Sequence, residues 1–275
     1  MTSPLLSIIT VNLNNREGLQ HTIDSVVGQT FTDYEWIVID GGSTDGSREL
    51  IEQYADRFAY WVSEPDKGIY NAMNKGIAHA KGEWLQFLNS GDWLYENTTL
   101  KKVFSKKYEA DIIYGNTLDI SSTKEKLQNP PHTITASYLR EYALCHQSMF
   151  FRGEIFNNCL FDEELMICSD WALYYKLIFE NYSMQYIPEC ISTYEGGGIS
   201  QKQIENATNE RKYALDKFTP THLKEDLEYI CTVKNHERFI NSHKSYIIVY
   251  KIANIIILFL SKIIKIFETL RIKFR

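Results

Sequence analysis

The run Leu5-Leu6-Ser7-Ile8-Ile9-Thr10-Val11 limits most what this chain can become. Apolar, largely β-branched residues occupy both of its alternating faces, so a strand made of it is buried on both sides, as in a parallel sheet covered by helices. It stops at Asn12-Leu13-Asn14-Asn15, after which Leu19, Ile23, Val26 and Val27 recur at helical spacing between Gly18 and Gln29. The unit then repeats. Tyr34 to Ile39 reads as a second strand, ends at Asp40-Gly41-Gly42-Ser43-Thr44-Asp45-Gly46-Ser47, and leads into a helix from Arg48 to Tyr54. Tyr60 to Ser63 is a short third strand, Glu64-Pro65-Asp66-Lys67-Gly68 a turn, and Ile69 to Ala80 a helix whose core stripe is Ile69, Met73, Ile77 and Ala80. This alternation predicts an α/β fold.

The stretch Glu83 to Trp93 reads as one more buried strand, carried by Leu85, Phe87 and Leu88 and cut off by the turn formers Asn89-Ser90-Gly91-Asp92. In open α/β sheets ligands bind outside the carboxyl ends of the strands, so a carboxylate at such an end can hold a divalent cation that itself holds phosphate oxygens. Asp92 is the metal candidate on this ground; the plainer alternative is a helix cap or an Asx turn. The loop after Asp40 offers glycines for close approach, and hydroxyls and a helix N-terminus for an anion or a ribose, against the plainer alternative of a tight capped turn. It is neither the G-x-G-x-x-G fingerprint nor a P-loop.

Further on, Thr98 to Ser105 reads as a helix, Asp111 to Asn116 as a strand, and Ser121 to Pro131 as a polar surface loop. Cys145-His146-Gln147-Ser148-Met149-Phe150-Phe151-Arg152 reads as a strand that begins polar. Asp170 precedes Leu173, Leu177 and Ile178 at helical spacing, so its plain reading is an N-cap. Tyr186 to Tyr194 is a late strand, and Glu195 to Ser200, with three consecutive glycines, either a lid that orders over substrate or a connector.

Four ordered motifs carry a resemblance. Ser7 to Asn15 (S-I-I-T-V-N-L-N-N), Ile39 to Ser47 (I-D-G-G-S-T-D-G-S), Ser63 to Ile77 (S-E-P-D-K-G-I-Y-N-A-M-N-K-G-I) and Phe87 to Trp93 (F-L-N-S-G-D-W) resemble the nucleotide-binding half of a family 2 glycosyltransferase of the GT-A fold. The subgroup most similar makes bacterial capsular, colanic-acid-like or O-antigen polysaccharide. The resemblance implies a Rossmann-like mixed sheet flanked by helices. It also implies inverting transfer from a nucleoside-diphosphate sugar, with Mn2+ or Mg2+ bridging the diphosphate, to a saccharide acceptor carried on polyprenyl diphosphate. On the matching positions Thr10, Asn12 and Asp40 line base and ribose, Lys67, Asn74 and Ser90 lie near the nucleotide-sugar, and Asp92 ends the metal motif. Asn89 and Gly91 stand where many members carry Asp, which leaves a single carboxylate for the metal. His146 and Gln147 fall at the floor of the acceptor site, and Asp170 matches the catalytic base, with Glu164 in reserve. A nucleotidyltransferase and a catalytically silent nucleotide-sugar-binding scaffold are the competing functions; only Arg16 in Asn12 to Gly18 serves the former.

A formal charge of -6 argues against nonspecific nucleic-acid binding. The charge is uneven: from Lys244 onward seven basic residues oppose Glu268, giving +6 and leaving -12 for the body. Lys251, Lys262, Lys265 and Arg271 share a stripe of an otherwise apolar segment whose longest uncharged run, Ile252 to Ser261, is far short of the roughly 20 residues that span a bilayer. Residues 244–275 are expected to form a basic amphipathic helix on an anionic membrane surface, with a dimer-forming helix, and so a homo-oligomer, as the alternative. The expected plan is a catalytic domain 1–200, split into a nucleotide-sugar half 1–95 and an acceptor half 96–200, a helical extension 201–243 and the basic helix 244–275. Five cysteines without a C-x-x-C pair suit reduced thiols, and the N-terminus lacks a basic leader, so the expected location is cytoplasmic, peripheral on the inner membrane.

Overall fold

The computed structural model describes residues 3–196, 198 and 203–242, with side chains as far as 235. The chain parts into two compact units, residues 1–220 and 221–275. The expected basic helix at 244–275 lies outside the described residues. No helix among the described residues is long and apolar enough to cross a membrane.

The first unit is built on a sheet of nine strands. The opening run forms β1 (Leu6–Asn12), buried along its whole length. It lies parallel between β2 (Tyr34–Asp40) and β4 (Trp84–Phe87), and β3 (Tyr60–Ser63) extends β2, also in parallel. Beyond β4 the direction changes: β8 (Met149–Arg152) is antiparallel to β4 and to β6 (Ile112–Asp119), which pairs in parallel with β9 (Met184–Tyr194). The order β3-β2-β1-β4-β8-β6-β9-β5 places its crevice outside the carboxyl ends of β1 and β4.

Both faces are covered, as the β-branched strands require. Leu6 and Ile8 of β1 point to one face, against Leu19, Ile23 and Val26 of α1 (Arg16–Val27), Leu50 and Ile51 of α2 (Ser47–Gln53), and Leu100 and Val103 of α4 (Thr99–Val103). Ile9 and Val11 point to the other, with Tyr70 and Met73 of α3 (Ile69–His79), Trp171 to Leu177 of α6 (Ser169–Phe179) and Ala214 of α7 (Ile204–Phe218). Each large apolar side chain so buried contributes roughly 1.5–3 kcal/mol. Gly76 lets α3 approach β1, since a Cβ there would collide with Ile9 Cγ2.

Several expectations are corrected. Asp92 does not end a corner but opens a short strand, β5 (Asp92–Leu94), antiparallel to the end of β9 with Asp92 opposite Tyr194. The loop 121–131 contains an antiparallel pairing, β7 (Lys126–Gln128) against β6. His146–Ser148 is a 3-10 turn before β8. The N-cap of α6 is Cys168, so Asp170 sits one residue inside the helix. The buried side of α3 is Tyr70, Ala72, Met73 and Gly76, with Ile69 and Ile77 only partly buried. The first unit runs to Pro220, so α7 belongs to it: Glu210 accepts the backbone N–H groups of Met166, Ile167 and Cys168 at 2.8, 2.8 and 2.9 Å. A short helix, α5 (Ala136–Leu139), completes this unit. The second unit comprises a 3-10 turn, Thr221–Leu223, and α8 (Lys224–Ser242).

Candidate active site

Two buried aspartates stand at the carboxyl ends of the parallel strands, and they are treated differently. Asp40 ends β2 and is fully buried. Its Oδ1 accepts from Asn12 Nδ2 at 2.7 Å and from Ser43 Oγ at 2.5 Å; Oδ2 accepts from Ser43 N at 2.9 Å and Ser63 Oγ at 2.6 Å. Burial pushes the carboxyl up, but the bonds from Ser43, Ser63 and Asn12 outweigh it and hold it below the usual carboxylate range. The carboxylate thus draws the ends of β1, β2 and β3 and the loop after β2 into one cradle. Asn12 Oδ1 is left buried and unpaired there.

Asp92 is 8% exposed, and its carboxylate has no hydrogen bond from any described residue. Its backbone closes a turn, Asp92 N to Asn89 O at 3.0 Å, whose third residue, Gly91, has φ 96°. That left-handed backbone suits glycine. Burial raises the Asp92 carboxyl to about 7, the His146 ring countering and the Glu195 charge reinforcing the rise.

Across the cleft Asp170 meets three partners. His146 Nδ1 lies 3.0 Å from Asp170 Oδ2, and Tyr70 donates its hydroxyl to Oδ1 at 2.9 Å and to Ile167 O at 2.7 Å. Asn89 Nδ2 is 3.1 Å from His146 Nε2, so the ring bridges Asn89 on one side and Asp170 on the other. Burial raises the Asp170 carboxyl, but the hydrogen bond and charge of His146, the Trp171 N–H and the Tyr70 hydroxyl outweigh it, and the net shift is downward. For His146 burial works downward and Asp170 upward, with a net rise. A part-buried chain Tyr70–Asp170–His146–Asn89 therefore joins the helix α6 to the turn that carries Asp92, and it leaves Asn89 Oδ1 without a partner.

The cleft, about 850 Å³, brings together Ser90, Asp92, His146, Gln147 and Asp170. Six expected residues lie outside its lining. Thr10 is turned to the other face, where its Oγ1 accepts from Trp36 Nε1 at 3.0 Å. Asn74 is spent on the chain itself, holding Phe161 through both its backbone groups and Glu163 at 2.8 Å. Lys67 is exposed in the loop after β3, and Glu164 is exposed as well. Asn12 and Asp40 form the adjoining cradle.

Three residues escaped the sequence reading. Tyr70 lay inside a quoted motif, and its spacing from Met73 and Ile77 was the available signal. Glu210 and Arg211 lay in the segment read as a helical extension beyond the catalytic domain. Arg211 lines the same cleft as Asp92, Asp170 and Glu195, with its guanidinium 5.3 Å from the Trp171 ring centre.

No group of three or more His, Cys, Asp or Glu side chains gathers among the described residues to hold a metal ion. The donors present fit a cation shared with a ligand: Asp92 offers an unpartnered carboxylate, Asn89 an orphaned amide oxygen in the same turn, and hard divalent cations take oxygens and keep open positions.

Residues 7–183 match the family model described as Glycosyl transferase family 2. A PGL/p-HBAD biosynthesis glycosyltransferase of Mycobacterium bovis is 30% identical over 215 residues, covering 74% of this chain and 82% of that protein. Among solved structures, S. aureus TarS 1-349 in complex with UDP-GlcNAc is similar with a TM-score of 0.62 and 16% identity, covering 82% of this chain and 70% of that one. The present chain spans 42% of the longer TarS chain. A mannosyltransferase from Pyrobaculum calidifontis, in complex with GDP-Man and Mn2+, gives 0.61 at 16% identity, covering 84% and 70%. At that identity the two structures speak to the fold, which is the GT-A arrangement of a mixed sheet between helices.

Proposed function

The chain belongs to glycosyl transferase family 2 and is a glycosyltransferase; from that premise we propose that it transfers a sugar, with inversion, from a nucleoside-diphosphate sugar to a saccharide acceptor in the assembly of a surface glycan. The observation that supports this most is the cleft itself, where a carboxylate without a partner, Asp92, faces a carboxylate held by a histidine and a tyrosine, Asp170. The structural neighbours with UDP-GlcNAc and with GDP-Man support the donor class.

In this reading the cradle of Asn12 and Asp40 receives the base and ribose, the orphaned Asn12 Oδ1 taking a ring N–H. Asp92, with the Asn89 amide oxygen, would hold Mn2+ or Mg2+. When bound, the cation supplies positive charge that neutralises the departing diphosphate. Arg211 faces the same charge from α7. Asp170 accepts the proton of the acceptor hydroxyl as its oxygen attacks the anomeric carbon, while the bond to the diphosphate breaks and takes its electron pair with it. The lowered pKa makes Asp170 a weaker base, which places the proton transfer late, when the attacking hydroxyl has become acidic. Tyr70 and His146 keep the carboxylate ionised and aimed. The first unit, residues 1–220, carries this chemistry, and the basic segment 244–275 rests on the cytoplasmic face of the membrane, where the acceptor is anchored on a polyprenyl diphosphate.

The test is a panel of nucleoside-diphosphate sugars incubated with the purified protein in Mn2+, in Mg2+ and in chelator, scoring released nucleoside diphosphate beside Asp92→Asn. Metal-dependent release from one donor, lost in the variant, is expected. Release that ignores both metal and variant would overturn the role given to Asp92, and no nucleotide binding by calorimetry would overturn the donor class.

A further inference from the structure

Beside the cleft lies a second cavity, of about 480 Å³, between the end of β6, the strand β7 and the helix α5. Its size falls in the range of roughly 300–1,000 Å³ typical of ligand sites. Tyr114 and Tyr138 form aromatic walls, and Lys126, Gln128 and Asn129 bring polar groups to the same space. The Tyr114 ring is fixed by its hydroxyl, which donates to Pro131 O at 2.8 Å, and Tyr138 is stacked on Tyr142 with ring centres 5.0 Å apart.

The two spaces meet along one shared wall of Gln128, Ala143, Leu144 and Cys145. Cys145 donates to Gln128 Oε1 at 3.4 Å, and Gln128 donates to Asp119 at 2.6 Å, so the wall carries no unmet polar atom from these two side chains. It is also tied to the helix of Asp170. Trp171 donates its indole N–H to Leu139 O at 2.8 Å, and Tyr174 its hydroxyl to Leu144 O at 3.1 Å. The distance from Asp170 to the second cavity is therefore set by hydrogen bonds on both sides, as a ruler between two positions on one ligand requires.

We propose that this cavity is a saccharide subsite that holds the acceptor residue next to the one being glycosylated. The part-exposed Tyr138 ring suits the apolar face of a pyranose, and the Asn129 amide and the Lys126 ammonium at the edge suit its hydroxyls. The inference rests on the glycosyltransferase reading above. It makes the protein a reader of acceptors at least two residues long.

The experiment uses the full chain and a panel of 4-nitrophenyl monosaccharides with matched 4-nitrophenyl disaccharides, titrated calorimetrically. At least one disaccharide is expected to bind tenfold or more tightly than its monosaccharide, and Tyr138→Ala to erase that preference. Ala143→Trp, at an exposed position, fills the junction without touching the core and is expected to erase it too. Equal affinities for each pair across the panel, or a preference that survives Ala143→Trp, overturn the subsite. UDP and GDP titrated into the unaltered chain separate the two levels: no nucleotide binding sinks the donor reading on which the subsite rests, whereas nucleotide binding without a length preference sinks the subsite alone.

Discussion

Asp40 and Asp92 are the same residue type, both buried, both beside the carboxyl ends of parallel strands, and their carboxyls move in opposite directions. The difference is in partners. Asp40 has four hydrogen bonds from its own chain, and Asp92 has none from the described residues. A buried charge without partners is costly and is kept only where something outside the chain meets it, so the first corner is finished by folding and the second is left for a ligand.

Substitutions can break or sharpen that contrast. The largest expected effect is on chemistry: Asp170→Asn should lower turnover about 10²–10⁴-fold while nucleotide affinity by calorimetry is unchanged, and retained turnover would remove Asp170 as base. Next, Asp40→Ala strands the donors of Asn12, Ser43 and Ser63 and should cost about 2–4 kcal/mol in urea denaturation. Because the folded carboxyl lies below its usual range, that stabilisation is present at neutral pH and is lost as pH falls through the folded pKa.

Asp92→Asn should have the opposite sign. With the folded carboxyl raised to about 7, the folded state binds more protons than the unfolded one from the usual carboxylate range up to neutrality, so Asp92 makes stability fall as pH rises through that window. Its replacement should stabilise the metal-free protein by on the order of 1–3 kcal/mol at pH 8 and by nothing below the usual carboxylate range. A loss of stability at pH 8 would mean that Asp92 has a partner after all. The smallest effect belongs outside both corners: Lys75→Ala removes an ion pair to Glu64 at 2.6 Å with Glu64 half exposed, and should change stability by less than about 0.5 kcal/mol.

What could be read from the chain follows the same division. The strands β1 to β4 and helices α1 to α3 were legible because β-branched runs end at clusters of turn formers. Asp40 and Asp92 were legible as candidates because each stands at an element boundary in a quoted motif, and Asp170 because it opens a helical spacing of apolar residues. The network around Asp170 was not, since Tyr70 is 100 residues away from it and meets it only through the packing of α3 against α6. Thr10 was misplaced for the opposite reason: mid-strand, it shares the face of Ile8, and period two alone sends it towards Trp36. Helix α7 fell in the segment read as an extension, since it is rich in charge and buries Ala214, yet Glu210 and Arg211 reach back to the N-terminus of α6 and to the cleft. Such contacts depend on topology, which local pattern does not carry.

The contrast between the two aspartates is tested most directly by titrating UDP and GDP into the protein and into Asp92→Asn, each with and without Mn2+. If the Asp92 corner awaits a cation shared with a diphosphate, Mn2+ should tighten nucleotide binding at least tenfold in the unaltered protein and leave the variant unmoved. An equal gain from Mn2+ in both would contradict it.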